Sequence, residues 1–233
     1  MMRLGRQSTS LVLAVIGALL ISGCGGGSSG NGIDKLSASD ALAKVKTATA
    51  DVTSVHVRGT IQQSGKPLTL DVEVGSSSAQ GSVGVGGGTM DLRFVDGVTY
   101  FRGDSKVFEA FGANAAQASL AANRWIKDTG SSGPAGSFAA FLDKKKLFDA
   151  LLTPEGTIKT GGSSSVNGTK ALILVDSSAE GGKLYVAETG DALPLRIERT
   201  GDNGGRVDFL DYNADVEVDA PSGALDISQL GGG

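Results

Sequence analysis

Apolar residues recur with two different periods along this chain, and the switches between them outline its elements. Leu36, Leu42, Val45 and Thr49 fall at roughly helical spacing, and Ser37 with Asp40 three residues on forms a weak capping box. A helix is therefore predicted from Ser37 to about Ala50. From Ser54 the period drops to 2. Val55, Val57 and Ile61 share one face, while Ser54, His56, Arg58 and Thr60 share the other. Gly65-Lys66-Pro67 turns the chain, after which Leu68, Leu70, Val72 and Val74 alternate with Thr69, Asp71 and Glu73, the pattern of a half-buried strand. A turn at residues 76–78 precedes a weaker strand over 80–85. Met90, Leu92 and Phe94 then alternate with Asp91 and Arg93. Asp96-Gly97 reads as a hairpin turn, because glycine accepts positive φ there, and the chain returns over 98–102.

The middle of the chain reads differently. Residues 113–123 are alanine-rich and predicted helical, and residues 123–127 make a short apolar edge holding the only tryptophan, Trp125. Ser137 looks like an N-cap for one helix whose face is marked by Phe138, Phe141, Leu142, Phe148, Leu151 and Leu152, interrupted by Lys144 to Lys146 and closed by Pro154. Strands resume at 157–160, 171–175, 183–188, 193–199, 206–211 and 216–218, separated by Asn167-Gly168, Gly181-Gly182, Gly190-Asp191 and residues 202–205. Residues 225–233 form a short tail. The order is helix, about five strands, helices, about five strands. A long antiparallel sheet twists and curls, and the helices are the apolar covers for one of its faces. The predicted class is α+β: a strongly curled antiparallel half-barrel with helices packed on its concave face.

The first residues do not belong to that pattern. Arg3 and Arg6 precede an apolar run over 11–21, too short for a bilayer span of roughly 20 residues but of the length of a signal-peptide core. It ends in Ile21-Ser22-Gly23-Cys24, which looks like a lipobox. Small residues before the cut suit the peptidase, and the thiol is where diacylglycerol attaches. Cys24 is the only cysteine, so no internal disulfide can form, and a free external thiol would be a liability that acylation removes. Residues 1–23 are thus predicted to be a lipoprotein signal peptide. Residues 24–33 are predicted to be the lipidated cysteine and a Gly/Ser tether, and residues 34–230 a single domain. The tether, about eight residues of Gly, Ser and Asn, has an r.m.s. reach of roughly 15 Å. Two or more acyl chains give stable anchoring where one is marginal. The expected location is the extracytoplasmic face of a cell membrane.

Charge and residue types narrow the function. Removing residues 1–23 takes away Arg3 and Arg6 and no acid, so 19 basic residues face 25 acidic ones, a net charge of −6. There is no basic stripe to neutralise phosphates, which argues against nucleic acid as a partner. His56 is the only histidine, on the polar face of its predicted strand beside Ser54 and Arg58, and reads as a surface residue. No nucleophile elbow accompanies it, and a zinc site needs more His or Cys than the chain has. Gly25-Gly26-Gly27 and Gly86-Gly87-Gly88 lack the Lys-Ser/Thr of a phosphate-cradling loop. Asp208 and Asp211 read as solvated strand ends, and Asn167-Gly168-Thr169 as a hairpin turn. No catalytic residue, cofactor or metal site is predicted.

The element order, with particular residues in it, resembles the LolA/LolB-like fold, in particular the LprG/LppX-type lipoproteins of actinobacterial envelopes. The matching features are the lipobox at Cys24 and the helix over 37–50 running into Ser54-Val55-His56-Val57. Asp96-Gly97-Val98-Thr99-Tyr100, Arg124-Trp125-Ile126, Leu193-Pro194-Leu195-Arg196-Ile197-Glu198, and Asp211-Tyr212-Asn213-Ala214-Asp215 with Pro221 complete the set. The resemblance covers about residues 34–230, and the order of the pieces carries most of its weight. It implies that an acylated lipid or lipoglycan is held in a cavity between curled sheet and helices and moved across or within the envelope, with an envelope transporter as a further partner. Residues 81–88 depart from the pattern: glycine supplies no side chain to line a pocket, so this stretch reads as a flexible rim.

Under that resemblance the candidate cavity residues are Val55, Val57, Leu70, Val72, Leu92, Phe94, Phe138, Phe141, Phe148 and Leu151. The same residues would pack any sheet-on-helix core. The scarcity of large aromatics leaves a wide curved sheet hard to fill, which favours a sizeable cavity. The bulky face of the helix over 138–152 suits a movable lid. The competing functional reading is a sensory or regulatory lipoprotein whose sheet binds another envelope protein; a third is a scaffold for cell-wall assembly.

Overall fold

A computed structural model describes residues 30–63, 65–85, 87–129, 138, 141–179, 181–202 and 204–229. Cys24, the first part of the tether and Ser137 lie outside the described residues. The first helix, α1 (Ala38–Ala50), begins as its capping signal predicts: the Ser37 side chain accepts the Asp40 N–H. Its buried residues are Ala41, Val45 and Thr49.

The predicted five-strand meander follows: β1 (Val55–Gln63), β2 (Lys66–Val74), β3 (Ser78–Val85), β4 (Gly88–Val95) and β5 (Val98–Gly103). Two short helices come next, α2 (Ser105–Ala110) and α3 (Ala115–Ala121), capped by Asp104 and Asn114. Helix α2 carries no periodic signal in the sequence, because six residues are too few to show a period. Strand β6 (Ile126–Asp128) is the predicted tryptophan edge. The helix expected over 138–152 is not continuous. Residues 138, 141 and 142 are helical, Asp143 leaves the helical conformation, and its side chain accepts the Lys146 N–H to start α4 (Lys144–Leu151).

The second half contributes β7 (Ile158–Val166), β8 (Thr169–Asp176), β9 (Gly182–Ala187), β10 (Pro194–Arg199), β11 (Gly205–Leu210) and the two-residue β12 (Leu225–Asp226). Strand β7 runs well past the predicted 157–160 by absorbing an irregularity between Thr160 and Ser163. Residues 216–218, predicted as a strand, are not one. They lie in an extended strap over 211–221, whose Val216 carbonyl accepts the Ser78 hydroxyl at 2.9 Å.

Among the described residues, all twelve strands join one sheet in the order β12-β6-β5-β4-β3-β2-β1-β11-β10-β9-β8-β7. Every pairing is antiparallel except β12 with β6. The sheet is not closed; β12 and β7 are its edges. One cross-strand row runs Phe209, Val57, Val72, Gly81, Leu92, Phe101, Ile126. The row beside it runs Leu174, Leu184, Ile197, Val207, Gly59, Leu70, Val83, Met90. Each apolar row holds a glycine at which a side chain would collide with the neighbouring strand. A Cβ on Gly81 would lie 2.2 Å from the Asp71 carbonyl oxygen, and one on Gly59 would lie 2.1 Å from that of Arg206. Gly81 is thus required by strand approach, which the rim reading did not anticipate. These inner rows, with Ala41 and Val45 of α1 and Leu147 and Phe148 of α4, form a single core.

Candidate functional site

The ten residues proposed for a cavity all reach this core. Val55, Val57, Leu70, Val72 and Leu92 are buried on the sheet's inner face, and Phe138 and Phe148 are buried on the helical side. Phe94, Phe141 and Leu151 are half-buried against them. Phe148 stacks on Phe209 of β11 at 6.0 Å, and Phe138 meets Phe111 edge-on at 5.7 Å.

Of the ten, Leu92 lines a polar groove, and Leu151 borders an apolar opening. There, Leu42 of α1, Leu151 and Leu152 at the end of α4, Pro154 and Ile158 face Leu174, Leu184 and Ile197 of the sheet. They leave a cleft of about 50 Å3 with Asp176, Lys183 and Arg199 at its rim. That is narrow beside the roughly 300–1,000 Å3 of a small-molecule site, so the sizeable cavity expected from the sequence is here a slot between packed helices and sheet. The candidates in the first meander lie in the core, whereas the sheet residues bordering the opening belong to the second half. The available signal was Leu174, Leu184 and Ile197, one apolar residue in each of three successive strands. It was hidden because residues 171–175 are apolar without alternation. The structure explains this: Leu172 and Leu174 enter the core, while Ala171 and Ile173 join Val166, Tyr185 and Leu195 in a small cluster of their own.

Another concavity among the described residues is polar. A groove of about 390 Å3 holds Asp71, Gln80, Asp91, Arg93, Arg102 and Trp125, with the Arg93 and Arg102 guanidinium carbons 5.1 and 4.7 Å from the Trp125 ring centre. His56 is not the surface residue expected. It is 8% exposed, with Nε2 2.6 Å from an Asp71 oxygen and Nδ1 3.3 Å from one of Asp211. Both ring nitrogens thus lie against carboxylates, one on β2 and one at the start of the strap over 211–221. The neighbouring Ser54 hydroxyl donates to the Ala214 carbonyl. Burial acts to raise the Asp71 carboxyl, but hydrogen bonds from His56 and Arg58 outweigh it and leave it below the usual range. Burial pushes the Tyr212 phenol well above its ordinary value; its hydroxyl donates to the Pro194 carbonyl at 2.8 Å. Among the described residues, no group of three or more His, Cys, Asp or Glu is placed to hold a metal ion.

The start of the domain is also built. Glu188 is buried, 2.5 Å from the Lys170 ammonium and 2.6 Å from the Ser163 hydroxyl. Lys170 and Ser163 hold its carboxyl below the usual range. Its carbonyl accepts the Asn31 N–H, and the Asn31 side chain donates to the Ala187 and Gly190 carbonyls. Ile33 is fully buried. Among the described residues, Gly30 and Asn31 already bond to the sheet, Gly30 by a bridge to Thr189.

Among the described residues, an open, mostly antiparallel sheet with helices packed on one face defines a half-barrel fold. No family model matches the chain, and no curated protein matches it. Solved structures do. LprF from Mycobacterium bovis matches with a TM-score of 0.55 at 15% identity, over 80% of this chain and 97% of that one. The lipoprotein LppX of Mycobacterium tuberculosis matches with a TM-score of 0.51 at 15% identity, over 76% and 96%. The chain has the LolA-like, LprG/LppX-type fold.

Proposed function

We propose that this chain is an envelope lipoprotein, anchored through acylated Cys24, that binds an acylated lipid or lipoglycan between its curled sheet and helices α1 and α4. The observation that carries the reading is the slot of Leu42, Leu151, Leu152, Ile158, Leu174, Leu184 and Ile197, which continues the apolar row of the sheet to the protein surface. No covalent chemistry is involved. Burying an acyl chain there is worth roughly 25 cal/mol per Å2. The slot must widen to admit it. Helix α4 is the element suited to move, because Asp143 separates it from the helical residues before it. Among the described residues no helix is long and apolar enough to cross a membrane; the anchor in this proposal is the acyl group on Cys24.

The test is extraction of a signal-less Cys24→Ala form purified from a lipid-rich bacterial host, followed by mass spectrometry. Stoichiometric acylated lipid is expected, reduced severalfold by Leu184→Trp, which fills the slot. A protein that carries no lipid and takes up none on loading refutes the reading.

A further inference from the structure

The start of the domain and the slot lie at opposite ends of the same strands. Asn31 is bonded to the Ala187 carbonyl at the end of β9, while Gly182, at the beginning of β9, lines the slot. Those five residues of strand span about 17 Å at 3.3–3.4 Å each. The neighbours agree. On β8, Lys170 binds Glu188 beside Asn31, and Asp176 lies at the slot's rim. On β10, Pro194 is paired with Val186, and Arg199 lies at the rim. Helix α1 gives an independent reading. Leu42 lines the slot, whereas the Lys44 ammonium binds the Asn31 carbonyl at 2.6 Å. Two residues apart on a helix point to nearly opposite sides. The point of attachment and the slot are therefore on opposite sides of α1.

Between Cys24 and Gly30 the chain can span at most about 20 Å, six residues at 3.3–3.6 Å each. The geometry points to an anchored domain whose slot mouth, at Asp176, Lys183 and Arg199, faces away from the membrane that holds it. The slot then exchanges acyl chains with a second, facing lipid surface. This rests on the reading of Cys24 as the anchor. Lys170 and Ser163 belong to the device that sets the orientation, because they hold Glu188, whose backbone holds Asn31.

The experiment uses the full chain made in a host that processes lipoproteins. Acylation of residue 24 is verified by mass, and the protein is reconstituted into phosphatidylcholine–phosphatidylglycerol vesicles carrying a headgroup energy acceptor. A donor dye is placed on Asp191→Cys, at the attached end, or on Lys183→Cys, at the mouth; both positions are exposed. Transfer at least about twofold stronger from residue 191 is expected from the extra strand length of about 17 Å. Inserting twenty Gly/Ser residues after Gly27 should remove the difference. Fluorescent acyl lipid should also load severalfold faster from added vesicles than from the vesicle that carries the protein. Equal or stronger transfer from residue 183, or a difference that survives the insertion, overturns the orientation. A chain without acyl mass at residue 24 that stays in the soluble fraction refutes the anchoring itself, and lipid binding by the Cys24→Ala form is scored separately.

Discussion

Replacing Gly59 with alanine tests how the two halves of the open sheet are joined. Gly59 sits midway along β1 and is paired with both Val207 of β11 and Leu70 of β2. The β1–β11 ladder is the joint between the two halves of the sheet. An added methyl would lie 2.1 Å from the Arg206 carbonyl oxygen and 2.7 Å from the Val207 Cα. Both are backbone atoms, so neither can rotate away, and the strands must separate. That loses about two ladder hydrogen bonds at roughly 0.5–1.5 kcal/mol each and adds roughly 1–3 kcal/mol of overpacking. The expected destabilisation is about 3 kcal/mol, or a fall in Tm of roughly 6–12 °C for a domain of this size. Gly97→Ala is the control. Its φ of 82° strains alanine, but no heavy atom lies within 4 Å of the new Cβ. Only the backbone cost of roughly 1–2 kcal/mol applies. Urea and thermal unfolding followed by circular dichroism measure both. A Gly59→Ala protein no less stable than Gly97→Ala refutes the close-approach account of the curled sheet.

Asp143→Ala removes the cap of α4 and should cost about 1 kcal/mol; it should also increase uptake of an apolar dye, while Asp143→Asn restores both, and unchanged dye uptake would disconnect α4 from the slot. Acid should destabilise the fold below about pH 4. Asp71 and Asp208 are each raised by burial but brought below the usual range by their His and Arg partners, and Glu188 is lowered by Lys170 and Ser163. Their carboxyls hold protons less tightly folded than unfolded, where values of about 4 apply. Their contribution is therefore complete above the unfolded value and is lost as pH falls through the lower folded ones. A Tm constant from pH 7 to 5 and falling toward pH 3 is expected, with a smaller fall in Glu188→Gln; a Tm unchanged at pH 3 contradicts the assignment.

The strands were legible wherever one face is buried and the other wet. Leu68, Leu70, Val72 and Val74 alternate with Thr69, Asp71 and Glu73, and β2 has that burial pattern. Capping chemistry was legible at Ser37, whose oxygen does accept the predicted turn's N–H. Asp143 was overlooked because the apolar stripe of Phe141, Leu142, Leu147 and Phe148 continues in phase across it, and period alone does not reveal a break that a side chain has capped. The strap over 211–221 was misread for the opposite reason. Val216 and Val218 look like a strand, yet this segment spends its polar groups on Thr53, Ser54, Ser78 and Arg93 instead of a ladder.

The apolar opening was the least legible feature, and the reason is physical. A core and a binding slot use the same residue types, so Val57 and Leu184 look alike in sequence. What separates them is whether a partner fills the space opposite. Val57 faces a row closed by Phe209, Phe148 and α4. Leu184 faces the end of α4, where Pro154 stops the helix and leaves Leu151 and Leu152 as its last apolar contacts. The opening is therefore set by where a covering helix ends, not by the strand beneath it. Extending α4 by removing Pro154 should close the slot while leaving the ladder Leu174–Leu184–Ile197 intact. Pro154→Ala should accordingly bind less acyl lipid with unchanged strand content, and undiminished binding would place the lipid elsewhere in the half-barrel.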